Sequence, residues 1–524
     1  MLHYLFRYRF YLLLLIYVAI SARAIGFSPN LYGVIASYLI FYLLFIYART
    51  LFFIFFGIYL ISCLFYIPEA VLYGSPSSGI IASFFETNLS ESIEYLTSFP
   101  FYVWGYVGIF AFLGGIVLYL GFHQPTNVVN HKYNILWLVL IIVAVFYKPI
   151  SAVIKENRDF SLGNSRVYLV GFYGNLYDLI HDYQVGNKSL NESLKDKDKS
   201  DWNITFVEPH YKNYVIVIGE SVRNDYLSLS GFPLNTTPYL NQEPGKFYQG
   251  YVSAAPNTQT SLMRTLYQNI DDNVNYDNNL ISLAKAAGFK TYWLSNQGSL
   301  GRFDTAAASV GVRADSVFFT KHGNSDSRNY PDTTLISPFE NALNDSDSKP
   351  KLIVLHLMGS HPKFCQRVRQ TVGFDYLNKE MSCYLQSIKE TDELLYTLIR
   401  ILKWQQQPYS LMYFSDHGLS FDRYDKSGSS MVLITGNRTK QNYQIPFFVI
   451  SSDDSTHQTI PMSQSATRFL QGVSEWMGIE SAVFQGMPSF WLGTTKPIKV
   501  YDFFNWVDFD TLTSEPAVLP AEIK

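Results

Sequence analysis

Long apolar runs fill the first 150 positions, and short apolar runs separated by polar turns fill the rest. A helix that crosses a bilayer needs about 20 mostly apolar residues. Residues 8–24, 31–48, 51–67, 101–122 and 135–153 reach or approach that length, which predicts five membrane-spanning helices. Arg7 and Arg9 precede the first run as they would in a secretory signal. Further spans follow at once and no clear small-residue cleavage site is present, so the run reads as a retained span. Residues 77–98 (SSGIIASFFETNLSESIEYLTS) predict a short amphipathic helix with Ser83, Thr87 and Glu91 on one face. By spacing alone, that face reads as the solvated side of an interfacial helix.

From Tyr214 the period changes. Short β-branched runs at 214–218, 290–294, 352–357, 410–414 and 446–450 predict strands. Helical spacing fits 261–270, 280–287, 383–403 and 463–477. Strands alternating with helices predict a doubly wound, largely parallel sheet, in which ligands bind at the carboxyl ends of the strands. The expected division is a membrane domain over 1–153 with a helical insertion at about 69–100, an interfacial linker over 154–212, and a soluble domain over 213–524. The linker is aromatic at 165–183 and carries a charged loop, KDKDKSD, at 195–201.

Charge placement orients the chain, because short cytoplasmic flanks concentrate Lys and Arg. With one crossing per run, Arg7, Arg9, Arg49 and Lys132 fall on one side, and Arg23 and Lys148 on the other. The N-terminus is read as cytoplasmic and everything after about residue 153 as external. Net charge is −3, so no basic field points to nucleic acid.

Two strands end in metal-ligand types. VIVIGES places Glu220 just past one, and LMYFSDHG places Asp416 and His417 just past another. Carboxylate oxygen and imidazole nitrogen suit a hard or borderline divalent cation. In SAAPNTQTSLMRTL, Thr258 stands just before a predicted helix. There a hydroxyl serves either as an N-cap or as a nucleophile toward phosphorus, since N-terminal amides stabilise phosphate oxygens. Neither a GxxxxGK[ST] phosphate loop nor a GxGxxG fingerprint is present.

Together the motifs resemble the phosphoethanolamine transferases of the alkaline phosphatase/sulfatase superfamily. The resemblance rests on VIVIGESVRNDYLSLSGF followed by NTTPYL, on NTQTSL, on LHLMGSHP and on SDHG, in that order, and covers almost the whole chain. It implies a five-helix transmembrane domain followed by an α/β alkaline-phosphatase-like domain with a mostly parallel sheet. It also implies one zinc held by Glu220, Thr258, Asp416 and His417, with manganese ranked behind zinc. Thr258 would take phosphoethanolamine from phosphatidylethanolamine as a covalent intermediate. The pattern Thr-x-x-Ser-Leu selects Thr258, with Thr260 as the alternative. The sulfatase motif Cys-x-Pro-x-Arg is absent.

His361 matches a substrate-contacting histidine of the family. A further histidine usual downstream of SDHG is missing before His457, where Thr435 or Gln444 stands in its place, and this leaves a second zinc open. The resemblance implies ethanolamine-headgroup contacts from Ser83, Thr87 and Glu91, with Glu91 pairing the ammonium, and from Ser299 and Arg302. Cys365 and Cys383 are free to pair in an oxidising compartment. A disulfide that some members carry around the nucleophile is absent, because Ala254 and Arg264 stand there. NTQTSL is closer to the branch acting on lipopolysaccharide core sugars or periplasmic glucans. The expected enzyme therefore sits in a bacterial inner membrane with its catalytic domain in the periplasm. It moves phosphoethanolamine to lipopolysaccharide, lipid A or a glycan. Two alternatives are a glycerol-phosphate transferase of the lipoteichoic-acid-synthase type and a catalytically silent membrane-bound binding protein.

Overall fold

The structure, a computed structural model, describes residues 2–86, 89–124, 134–156, 160–270, 273–299, 306–322, 329–422 and 431–519. Thr87, Lys132 and Arg302 lie outside these residues, and only the backbone of Glu91 and Ser299 is described. Contacts divide the chain into two compact units, Met1–Ile81 with Tyr95–Val185, and Ala82–Glu94 with Gly186–Lys524.

In the first unit the apolar runs form α1 (Leu2–Ala24), α2 (Leu31–Tyr47) and α3 (Arg49–Leu72). Where one amphipathic helix is predicted, two short ones stand, α4 (Ser78–Glu86) and α5 (Leu89–Ser98). Then come α6 (Phe101–His123), α7 (Asn134–Glu156) and α8 (Tyr168–Ser193). Among the described residues, α3, α6 and the Leu136–Lys155 stretch of α7 are long and apolar enough to cross a membrane, and α2 is apolar but has 17 residues. The segment read as a linker thus contains a 26-residue helix, α8.

α1, α2, α3 and α6 pack through an aromatic core of Phe10, Phe41, Phe45, Phe52 and Phe56, all fully buried. The Phe52 ring centroid lies 5.2 Å from that of Phe45 and 5.5 Å from that of Phe56. Arg49 donates to the carbonyls of Gly121 and Phe122 at 2.8 and 2.7 Å, which satisfies open groups at the end of α6. Phe65, Phe112 and Ile154 stay exposed, the pattern of a lipid-facing surface.

The second unit is built on an eight-stranded sheet. In chain order its strands are β1 (Asn213–Gly219), β2 (Gly245–Val252), β3 (Lys290–Ser299), β4 (Ser316–His322), β5 (Lys351–His356), β6 (Tyr409–Ser415), β7 (Phe447–Ser451) and β8 (His457–Ser465). Their spatial order is β8-β2-β7-β6-β1-β5-β3-β4. β7 is antiparallel to both its neighbours and every other pairing is parallel. The doubly wound reading holds, with one reversed strand.

β1 is buried along its whole length and feeds two cores. Tyr214, Ile216 and Ile218 face one side of the sheet, and Val215 and Val217 the other. Strands covered on both faces are apolar at every position, which is why these runs stand out in the sequence. The first face is covered by α9 (Thr258–Leu266) and by a helix at Phe469–Trp476. The second is covered by α10 (Lys379–Trp404), through Leu394, Leu398 and Leu402.

Three expectations need correction. The helix predicted over 261–270 begins earlier and ends at Leu266, because Tyr267–Ile270 pairs as a strand with Asn273–Asn279. The helix predicted over 463–477 shrinks to Phe469–Trp476, because β8 extends to Ser465. Strands β2, β4 and β8 stand where the residue pattern predicts none. β8 is an edge strand with mostly exposed side chains and an internal Pro461, a pattern that carries no apolar signal. The charged stretch at 195–201 is the exposed loop expected, with Lys197 donating to the Val312 carbonyl at 2.8 Å and Lys199 paired with Asp277 at 2.7 Å.

Cys365 and Cys383 form a disulfide across 18 positions, which ties the loop after β5 to the first turns of α10. Closing a loop of this length restricts the unfolded chain by about 3 kcal/mol. Replacing both cysteines by serine should lower the urea midpoint of the second unit by about 1 M, for a slope near 3 kcal/mol/M. Tryptophan fluorescence of the detergent-solubilised protein checks this, and bound metal should be unchanged.

Candidate metal centre and nucleophile

β1 and β6 are parallel neighbours in register from Asn213–Tyr409 to Gly219–Ser415, so the residues that follow them emerge side by side. These are Glu220 on one strand and Asp416 and His417 on the other, all buried. Gly219 is required before Glu220, since a Cβ there would collide with the Tyr413 hydroxyl. Ser221 then takes a left-handed backbone, φ 59°, sparsely populated for a residue with a Cβ and a mark of local strain. The turn lets the Ser221 hydroxyl donate to Glu220 Oε1 at 2.7 Å and its amide to Asp416 Oδ1 at 3.0 Å.

The third contributor is α9. Asn257 is its N-cap, accepting from the Thr260 amide, so Thr258 is the first residue of the helix rather than its cap. Its hydroxyl lies 3.1 Å from Glu220 Oε2 and 3.3 Å from His417 Nε2. The Thr260 side chain is buried and engaged with Asn257. Ser261 donates to the Asp416 carbonyl at 2.6 Å and fastens α9 to the end of β6. This accounts physically for the Ser of the Thr-x-x-Ser pattern.

His417 Nδ1 lies 2.6 Å from the Gly418 carbonyl. A carbonyl only accepts, so Nδ1 carries hydrogen and the Nε2 lone pair of the neutral ring faces the carboxylates. Nε2 is 3.4 Å from Glu220 Oε1 and 3.5 Å from Asp416 Oδ2. Asp416 Oδ2 is buried with no hydrogen-bond partner among the described residues. One ligand atom from each of Glu220, Asp416 and His417 lies within 4.8 Å of the others, and no other such cluster occurs among the described residues. An orphaned carboxylate oxygen, an aimed imidazole lone pair and an adjacent hydroxyl fit a divalent metal of the zinc type.

The electrostatics agree. Burial works against the Glu220 charge, yet His417, with His361 behind it, holds this carboxyl well below the usual carboxylate range. Asp416 is pushed up by burial and by the Glu220 charge. Burial also opposes a charged His417, but Asp416 and Glu220 raise it to about 9.

Sequence reasoning missed two supports. Gln297, past a bulge in β3, donates to Glu220 Oε2 at 3.2 Å and to the Leu357 carbonyl at 2.9 Å. It comes from the strand end where Ser299 and Arg302 are expected to contribute. Asp332 accepts from the amides of Met358 and Gly359 at 2.8 Å each and fixes the loop carrying His361. Gly359 has φ +46°, and a Cβ there would press on the Glu220 backbone at 3.0 Å. The half-buried His361 has the Arg367 guanidinium 3.3 Å from its Nδ1. Ser83 lies within the second unit, its Oγ 3.4 Å from Asn257 Nδ2. Gln444 forms a backbone bridge with Val252.

Residues 212–479 match the sulfatase family. Phosphoethanolamine transferase OpgE of Escherichia coli K12 is 36% identical over 417 residues, 79% of this chain and 78% of that protein. The integral membrane lipooligosaccharide phosphoethanolamine transferase A of Neisseria meningitidis superposes with a TM-score of 0.55 at 16% identity, covering 89% of this chain and 96% of that one. The C-terminal periplasmic domain of Escherichia coli EptC, solved in complex with zinc, gives 0.52 at 22% identity over 59% of this chain and 97% of that one. Fold and site thus define a metal-dependent enzyme of the alkaline phosphatase/sulfatase superfamily. Within it, the chain belongs to the phosphoethanolamine transferases, and it is a membrane-bound transferase.

Metal binding should release protons. With His417 raised to about 9, the metal-free site holds a proton on this ring at pH 7, and coordination needs the ring neutral. Zinc affinity should rise about tenfold per pH unit between about 7 and 9 and flatten above that. Calorimetry of the metal-stripped protein in buffers of differing protonation enthalpy should count at least about one proton released at pH 7. A count near zero would remove His417 from the ligand set.

Proposed function

We propose that the enzyme transfers phosphoethanolamine from phosphatidylethanolamine to an envelope glycolipid or glycan through a phospho-threonine on Thr258. The observation that carries this reading is the Thr258 hydroxyl at the start of α9, 3.1 Å from Glu220 and 3.3 Å from His417. Glu220, Thr258, Asp416 and His417 are assigned as ligands of one zinc. When bound there, zinc supplies Lewis-acid polarisation and favours the deprotonated hydroxyl. The first amides of α9 have no intrahelical acceptor and suit phosphoryl oxygens.

In the first step Thr258 Oγ1 forms a bond to phosphorus and the bond to the diacylglycerol oxygen breaks. Diacylglycerol leaves carrying the proton. In the second, an acceptor oxygen bonds to the same phosphorus, the bond to Thr258 breaks, and the acceptor's proton returns to the threonine. His361, backed by Arg367, is assigned to the substrate side. Ser83, Thr87, Glu91, Ser299 and Arg302 are assigned to the ethanolamine headgroup, the Ser83–Asn257 contact being the support for the first.

The same reading takes residues 1–153 as a five-span membrane domain, 154–212 as a linker and 213–524 as a periplasmic catalytic domain. The disulfide supports an oxidising compartment on that side. The acceptor belongs to the lipopolysaccharide, lipid A or glycan class. Thr258→Ala should abolish both covalent labelling of the protein by headgroup-labelled phosphatidylethanolamine and the phosphoethanolamine mass shift on envelope glycans and glycolipids. Thr258→Ser should keep a measurable fraction of each. Labelling by phosphatidylglycerol instead would turn the assignment to glycerol-phosphate transfer.

A further inference from the structure

A second cavity, of about 730 Å³, opens on the outer flank of α10, lined by the 235–243 segment and by Gly373 and Phe374. We propose that it is a subsite for a neutral glycan, holding a sugar residue of the acceptor remote from the hydroxyl that reacts. This rests on the glycan-class reading of the acceptor given above.

A pyranose ring presents a patch of C–H groups on its face and hydroxyls around its edge. A pocket for it needs a flat aromatic surface and planar polar side chains in the plane of the ring. The cavity has both. Tyr239 is 40% exposed and is backed by Tyr396, with ring centroids 4.3 Å apart and planes 11° from parallel. A stacked pair presents a stiff face with little rotamer freedom left to lose. Gln242 and Lys389 line the cavity, and their side chains hydrogen-bond to no described residue. Glu243 and Glu393 are each already engaged, with Lys403 and Gln370. Lys403 offsets the Glu243 charge, Glu393 and Lys389 carry opposite charges, and no excess of positive charge lines the cavity to draw an anion, which favours a polyol.

The walls are fixed from below. Buried Asp392 accepts from the amides of Tyr239 and Leu240 at 2.9 and 3.0 Å, and so sets the Tyr239 backbone. Gln386 accepts from the Gly373 amide at 3.0 Å, and Glu390 from the amides of Arg369 and Gln370 at 3.0 Å. Both rims thus hang from one helix. That helix also reaches the metal cluster, since the Tyr384 hydroxyl donates to the Ser221 carbonyl at 3.0 Å. From Tyr384 to Tyr396 the axis advances about 18 Å, a distance that a chain of several sugars spans and a single sugar does not.

Saturation-transfer NMR with laminarihexaose and maltohexaose tests the site, using the full chain in detergent and a Thr258→Ala background that blocks turnover. Binding of at least one hexasaccharide is expected, weakened at least tenfold by Tyr239→Ala and retained by Tyr239→Phe. Binding that Tyr239→Ala leaves unchanged, or no binding of either sugar, overturns the proposal. So does competition by glucose 6-phosphate that depends on Lys389. Donor cleavage is measured separately with a fluorescent phosphatidylethanolamine. In otherwise wild-type protein, Tyr239→Ala should leave this cleavage intact and raise the KM for a long glycan acceptor more than it lowers kcat. If wild-type protein does not cleave the donor, the transferase reading fails, and the sugar-binding result still stands or falls by itself.

Discussion

The site depends on placing two buried carboxylates and an imidazole within 4.8 Å of one another. Such an arrangement is unfavourable without a positive partner, because burial and like charge both oppose ionisation. The parallel sheet makes it possible. β1 and β6 run side by side and deliver Glu220 and Asp416 at the same level, with no freedom for either backbone to retreat. The strain that remains shows as the left-handed Ser221 and the unpartnered Asp416 oxygen. A divalent cation would relieve both charges together, so the geometry that opposes two negative charges favours a cation beside them.

Much of the remaining local structure holds these groups still. Gln297 and the Ser221 hydroxyl engage the two Glu220 oxygens, and the Gly418 carbonyl fixes the His417 tautomer. Ser261 joins α9 to the end of β6. Asp332 sets the His361 loop through two amides. Each such contact contributes about 1 kcal/mol where both groups are neutral and about 1.5–3 kcal/mol where one is charged. Their combined effect is to remove the reorganisation that the reacting groups would otherwise require.

Whatever the sheet buries on both faces is legible in the sequence. β1 and β6 are apolar almost throughout, so the residue pattern alone assigns Glu220, Asp416 and His417 to strand ends. Thr258 is legible as a helix start, though the capping role belongs to Asn257. What stays hidden comes from elements without an apolar signal or from distant chain. Gln297 reaches Glu220 past a bulge that no residue pattern marks. Asp332 lies in a short 3-10 turn, far in sequence from the amides it binds. The β8 edge strand is mostly exposed and contains a proline, so it carries no apolar signal and its last residues resemble the start of the following helix.

The region after residue 479, beyond the matched sulfatase segment, bears on the surroundings of Thr258 as well. Ala254 and Arg264 flank Thr258, and neither can contribute to a disulfide. Both positions are held by one antiparallel hairpin, Lys499–Tyr501 with Trp506–Asp508. The Tyr501 amide donates to the Ala254 carbonyl at 2.9 Å. The Arg264 guanidinium lies 3.8 Å over the Tyr501 ring and 5.6 Å from that of Trp506. A cation over an aromatic ring contributes about 1–2 kcal/mol when partly desolvated, less than a covalent bridge and reversible. The hairpin in turn is anchored by Asn437, which donates to the Asp502 carbonyl at 2.7 Å. The segment around Thr258 is therefore clamped from outside by packing rather than by a covalent bond across it. It keeps its geometry whether or not the compartment is oxidising, and only the tie between the His361 loop and α10 depends on a disulfide.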